Sequence, residues 1–233
     1  MSGPLASVFL PSYNKPGYAP DAARSVLAQD YPHLEFWVLE NSDDGGETRR
    51  ALAPVLAGDP RVIYEEIGLT PAERSECYVT SMLLNRYYGK ANGTYIFYVS
   101  DDDMLDPGCV STCVAFMEED PGRRRVCYFG LVSYNVDAAG GQAVCNTIPA
   151  DRLRGLGSDQ PVDCAIDGGQ IAHRKDCLDA IGFPWFPENP DGNTACHADG
   201  LFMKRLAEKF TFWPVKRQLV TARHTPQSTW NRT

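Results

Sequence analysis

The chain has 233 residues, 43% hydrophobic and 22% charged, the balance of a globular protein that buries its own core. A formal net charge of -8 argues against non-specific nucleic-acid binding, which needs a basic footprint. No apolar run is long enough to span a bilayer, and the first seven residues lack the basic start and apolar stretch of an export signal.

Eight cysteines are present without any Cys-x-x-Cys pair, so no zinc site is expected. Reduced, mostly buried thiols in a cytoplasmic protein are the expectation. The dense basic run Arg123-Arg124-Arg125 follows Pro121-Gly122 and reads as a solvated turn before a strand.

In chain order, Ser7-Val8-Phe9-Leu10 predicts a strand ending at Pro11-Ser12-Tyr13-Asn14. A helix follows over about 21–28, then a strand Leu34–Leu39 ending at Glu40-Asn41-Ser42-Asp43-Asp44-Gly45-Gly46. A helix over about 47–56 and a strand over 61–64 come next. One long helix is predicted between about 71 and 91, closed by Asn92-Gly93. The fourth strand, Tyr95-Ile96-Phe97-Tyr98-Val99, carries five apolar or aromatic side chains in a row, which suits a strand covered on both faces. It runs directly into Ser100-Asp101-Asp102-Asp103. Three adjacent carboxylates repel one another unless a cation or polar ligand is held there, although Asp106-Pro107-Gly108 also makes good turn chemistry.

The second half predicts a helix over 108–120, a strand over 125–134, a loop or hairpin over 135–160, and a short strand over 170–174 followed by a helix from about Lys175. An irregular loop over 183–195 and a helix over 200–210 follow. Residues 225–233 are expected to form a lid or a frayed end. The alternation implies parallel strands with right-handed crossovers, so the polar ends of strands one, two and four converge on one sheet edge. No Gly-x-Gly-x-x-Gly follows strand one, which disfavours a dinucleotide fold.

Read together, Pro11-Ser12-Tyr13-Asn14-Lys15, Glu40-Asn41-Ser42-Asp43-Asp44, Arg74, Ser100-Asp101-Asp102-Asp103, Cys164-Ala165-Ile166-Asp167 and Ala198-Asp199-Gly200 closely resemble family-2 glycosyltransferases of the GT-A fold. The likeness covers about residues 7–210 and looks most like the bacterial spore-coat polysaccharide type of nucleotide-sugar transferase. It implies an α/β fold with a mostly parallel central sheet flanked by helices. It also implies one GT-A domain over 1–233, with a nucleotide-sugar half over about 1–107 and an acceptor and catalytic-base half over about 108–233.

The resemblance further implies inverting, metal-dependent transfer from a UDP- or dTDP-sugar to an acceptor hydroxyl, with Mn²⁺ or Mg²⁺ on the donor diphosphate. Donor contacts carry over to Pro11, Tyr13, Lys15, Glu40, Asn41, Arg74, Asp101 and Asp102. Asp102 would bind the metal, with Asp103 or, less readily, His224 beside it. Asp199 would be the catalytic base, and His197 and Trp185 would face the acceptor. Two departures stand out: Asn41 replaces an acid at the base-reading position, and Ser100 replaces the first acid of the Asp-x-Asp signature. Each residue also has an ordinary reading, such as Asp199 capping its helix or Arg74 pairing with Glu73. A sugar nucleotidyltransferase and a silent sugar-nucleotide-binding module stay open as rivals, and so does self-association. The lack of a membrane helix favours a small soluble natural product as acceptor.

Overall fold

The computed structural model describes residues 3–76, 78–137, 139–155, 165–182 and 198–225. Its elements in order are β1 Ala6–Ser12, α1 Ala19–Leu27, β2 Leu34–Glu40, α2 Glu47–Leu56, β3 Val62–Glu66, α3 Pro71–Glu76, α4 Val79–Tyr87, β4 Tyr95–Tyr98, β5 Met104–Leu105 and α5 Cys109–Glu118. Then come β6 Val126–Val136, β7 Gln142–Ile148, β8 Ile171–Arg174, α6 Asp176–Ala180, α7 Ala198–Ala207 and β9 Phe212–His224. All nine strands join one sheet in the order β3-β2-β1-β4-β8-β6-β9-β5, with β7 paired to β6. β3, β2, β1 and β4 are parallel neighbours. β8 enters antiparallel between β4 and β6, and β6 and β9 run parallel.

Period-2 alternation splits the core between the two faces of this sheet. Val8 and Leu10 of β1, with Tyr95 and Phe97 of β4, pack against α1, α2 and α5. Phe9, Ile96 and Tyr98 point the other way, against α4, α6 and α7. Because both faces are covered, the strands read as unbroken apolar runs. Complete burial of a side chain such as Phe97 contributes about 1.5–3 kcal/mol. The consequence for function is positional. The carboxyl ends of β1, β2 and β4 lie side by side, so the polar segments after Ser12, Glu40 and Tyr98 share one edge.

Three expectations are corrected. The long helix is two helices, α3 and α4, because Tyr78 adopts an extended ψ of 104° between them. Local propensity yields here to tertiary placement: Tyr78 is half-buried, near the carboxylates of Asp199 and Asp167. Asn92-Gly93 is not a left-handed helix cap; Gly93 is needed because a Cβ there would lie 2.3 Å from Ser7 Oγ and 2.6 Å from Ser7 N. Finally, β9 was missed. Pro214 and the polar run Lys216-Arg217-Gln218 break its alternation, Lys216 takes a φ of 54°, and the pairing with β6 shifts register around Gly130.

The hairpin expected after residue 134 forms as β6–β7. Cys109, Cys113, Cys127 and Cys177 are buried, Cys145 is exposed, and all five are free. Trp213 is half-buried at the far end of β9, with Arg123 over its ring 5.5 Å from the centroid, rather than in the core. Among the described residues no helix is long and apolar enough to cross a membrane.

Candidate active site

The loop after β1 begins with Tyr13, whose amide donates to Asp101 Oδ2 at 2.7 Å and so ties the ends of β1 and β4 together. Asn14 follows with a φ of 52°, a conformation that Asn tolerates better than most residues. Its side chain makes a reciprocal pair with Asp43: Asn14 Nδ2 donates to Asp43 Oδ1 at 2.6 Å, and Asp43 N donates to Asn14 Oδ1 at 3.0 Å. This locks the β1 loop to the β2 loop and delivers Lys15 to the acidic strand end. Lys15 Nζ lies 2.9 Å from Asp101 Oδ1 and 2.7 Å from Asp102 Oδ2. Burial alone would lower the Lys15 pKa, but the two carboxylates outweigh it and hold the ammonium above its usual range.

Asp101, Asp102 and Asp103 are all buried, at 6%, 6% and 7% exposure. Burial, opposed by Lys15 and reinforced by Asp102, raises the Asp101 carboxyl. Burial and the charges of Asp102 and Asp167 push Asp103 well above the ordinary carboxylate range. Arg223 fixes the peptide of this run: its Nε donates to Asp102 O at 2.6 Å and its backbone N to Asp103 Oδ1 at 3.1 Å.

On the β2 side, Asn41 is buried and makes two side-chain hydrogen bonds inside the protein. Its Nδ2 donates to Ser12 O at 2.8 Å, while Arg74 NH1 donates to its Oδ1 at 2.9 Å. Arg74 also donates to Asn41 O and stacks 4.5 Å above the Tyr13 ring. The guanidinium therefore pins the loops after β1 and β2 rather than pointing freely from its helix. Glu40 is 3% exposed and accepts from Ser42 N at 2.8 Å, and Pro11 pairs in register with Leu39.

The second half supplies Asp167 and Asp199. Asp167 caps the 3-10 turn Gly168–Gln170, accepting from Gly169 N at 2.8 Å. Gly168 N donates to Asp199 Oδ2 at 3.0 Å, and Gly200 N to Asp199 Oδ1 at 2.8 Å. Burial, then the neighbouring Asp167 charge, raises the Asp199 carboxyl to about 6. Burial also raises Asp167, with Asp102 adding to the shift and the Gly169 amide and His224 opposing it. His224, at the end of β9, places Nδ1 3.8 Å from Cys145 Sγ.

Sequence reasoning quoted Asp167 only as part of a pattern and gave no role to Tyr78, Asp43 or Arg223. Tyr78 is raised to about 12, first by burial and then by Asp199. No local signal marks Arg223, because its function depends on β9 reaching the acidic run. Trp185 and His197 lie outside the described residues.

Among the described residues no three His, Cys, Asp or Glu side chains form a ready ligand cage. The donor set still suits a hard cation. It consists of carboxylate oxygens, and their burial and mutual repulsion are relieved by positive charge. Mg²⁺ in particular takes one or two carboxylates and completes its shell with water and phosphate.

No family model matches the chain. It is 27% identical over 233 residues to Protein CgeD of Bacillus subtilis (strain 168), covering 98% of this chain and 52% of that protein. It is 31% identical over 140 residues to TuaG of Bacillus subtilis (strain 168), which carries the name of a teichuronic acid biosynthesis glycosyltransferase; 59% of this chain and 50% of TuaG align. The chain thus spans about half the length of these curated relatives. Among solved structures, S. aureus TarS 1-349 in complex with UDP-GlcNAc matches 98% of this chain and 61% of its own, with a TM-score of 0.69 at 14% identity. The mannosyltransferase PcManGT from Pyrobaculum calidifontis, in complex with GDP-Man and Mn²⁺, matches 99% and 59%, with a TM-score of 0.63 at 16% identity. The fold is the GT-A fold of glycosyltransferases, as the sequence resemblance implies.

Proposed function

We propose that this chain is a metal-dependent inverting glycosyltransferase that moves a sugar from a UDP- or dTDP-sugar to an acceptor hydroxyl. One observation carries the reading: the buried run Asp101-Asp102-Asp103 follows β4 on the edge where the loops of β1 and β2 meet, while the second half supplies Asp167 and holds the Asp199 carboxyl on the adjoining Gly168 amide.

Tyr13 and Arg74 form the base-facing wall, and Asn14 with Asp43 holds the loops that carry them. Asp101 serves the ribose. Asp102, with Asp103 beside it, would hold Mn²⁺ or Mg²⁺, which when bound would act as a Lewis acid on the leaving diphosphate. Asp199 takes the proton from the acceptor hydroxyl as it attacks. A carboxyl near pKa 6 is mostly ionised at neutral pH yet basic enough to accept that proton. The Gly168 and Gly200 amides each use one lone pair of its two oxygens and leave others for substrate. The acceptor belongs to the second half of the chain, and a small soluble hydroxyl compound is the working assignment.

The test is consumption of UDP-, dTDP- and GDP-sugars with Mn²⁺, read as release of the nucleoside diphosphate. The expected result is release from a uridine or thymidine donor, abolished by EDTA. Release of pyrophosphate from a nucleoside triphosphate and a sugar phosphate would instead make the chain a nucleotidyltransferase. Binding without turnover would make it a silent binding module.

A further inference from the structure

We propose that Lys15 is a resident counter-cation of the Asp101–Asp102 pair and competes with a divalent cation for Asp102. The inference rests on reading the acidic strand end as a cation and diphosphate site, and it assigns Lys15 a role there distinct from contact with base or phosphate.

Geometry carries it. The Lys15 ammonium bridges the two carboxylates, with side-chain exposures of 13% for Lys15, 9% for Asp101 and 8% for Asp102. Both oxygens of Asp101 are already engaged, Oδ1 by Lys15 and Oδ2 by the Tyr13 amide. The cation ligands proposed above are Asp102 and Asp103, so a cation entering the run approaches these two. At Asp102 it meets Lys15, 2.7 Å from Oδ2. A metal-oxygen bond of roughly 2.0–2.6 Å on the same carboxylate would bring two positive charges within a few ångströms of each other.

The backbone of the run is held in place: Arg223 Nε donates to the Asp102 carbonyl and Arg223 N to the Asp103 side chain, while Tyr13 N holds Asp101. Lys15 can yield, since its charge sits on a flexible four-carbon stem. Cation entry and release of Lys15 are thus one coupled event. The same pairing supplies one positive charge to the buried Asp101–Asp102 pair.

The test is calorimetric titration of the full chain with MnCl₂ alone, for the wild type and Lys15→Met. Removing the competitor should tighten the Mn²⁺ Kd by about tenfold or more, the scale on which neighbours of a metal site act. Because Lys15→Met could fail to fold, a second measurement uses the unaltered protein. Amine acylation read by mass spectrometry should rise at Lys15 when Mn²⁺ is added, while Lys90 and Lys209 stay constant. An unchanged or weaker Mn²⁺ Kd in folded Lys15→Met overturns the proposal, as does Lys15 acylation indifferent to saturating Mn²⁺. Mn²⁺ binding to neither protein overturns it too. If the wild type still consumes a nucleotide sugar in an EDTA-sensitive way while the competition test fails, the glycosyltransferase reading stands and only the role of Lys15 falls.

Discussion

The backbone amide of Gly168 donates a hydrogen bond to Asp199 Oδ2 at 3.0 Å, and this contact ties the turn entering β8 to the start of α7. It places the Asp199 carboxyl beside Asp167, whose charge also bears on Asp103 of the acidic run. Asp199 does not cap its helix merely as an isolated local device, since its partners come from two segments.

Asp199→Asn keeps the shape and one of the two amide contacts, because its Nδ2 cannot accept a hydrogen bond, and it cannot take a proton. Transfer should fall by about 10²–10⁴-fold, the usual contribution of a positioned base. Donor binding, followed by calorimetry with the nucleoside diphosphate and Mn²⁺, should change little. Activity within threefold of wild type would remove Asp199 as the base.

The pH profile follows from the same group. The ionised form is the active one, and burial with Asp167 raises the carboxyl to about 6, so the rate should fall as pH drops through that value. Asp167→Asn removes the second cause, so the acid limb should move to lower pH. A limb left in place by that change would mean that Asp167 does not act on Asp199.

Arg74 joins three groups from the loops after β1 and β2: Asn41, Asp43 and the Tyr13 ring. Arg74→Lys keeps the charge but loses the planar fork and its stacking. Affinity for the nucleoside diphosphate should weaken about tenfold, with a smaller effect on the chemical step. Arg74→Ala should weaken it further. The separation of Kd from kcat is the readout.

Stability should depend on pH through His173. Its ring is wholly buried between Tyr98 and Phe202; Nε2 pairs with Tyr98 Oη at 2.8 Å and Nδ1 faces Arg174 O at 2.8 Å. Burial depresses its pKa to about 4 from the ordinary 6.5. The unfolded chain therefore binds the proton first, and stability is present above 6.5 and lost as pH falls toward 4. The loss is about 3 kcal/mol, visible as a falling urea midpoint that His173→Gln should flatten.

Gly93→Ala tests the close approach of the β4 entry to β1. A Cβ would lie within 2.6 Å of the Ser7 backbone nitrogen, which cannot move without shifting β1. The cost should be about 1–3 kcal/mol, seen as a lower Tm.

The sheet edge and its acids were legible because each rests on a local pattern. Tyr95–Val99 is an apolar run that ends abruptly in carboxylates, and Asp167 and Asp199 each open a short element. What escaped the sequence depends on distant partners. Gly93 looks like a helix cap until Ser7 is placed beside it. β9 is hidden by Pro214 and by a polar bulge, and with β9 hidden the hold of Arg223 on Asp102 and Asp103 could not be seen. Lys15 reads as an exposed charge until the αL turn at Asn14 delivers it to Asp101 and Asp102. Asn41 stands at the position that the resemblance assigns to the base, and its contacts with Ser12 and Arg74, both distant in sequence, are not legible from its neighbours.

The most direct test of the central claim is calorimetry of UDP and dTDP in the presence of Mn²⁺, comparing the wild type with Asp102→Asn. The account predicts Mn²⁺-dependent binding to the wild type and loss of that dependence in Asp102→Asn with the fold intact. Equal Mn²⁺-dependent binding in both proteins, or no nucleotide binding to the wild type, would contradict it.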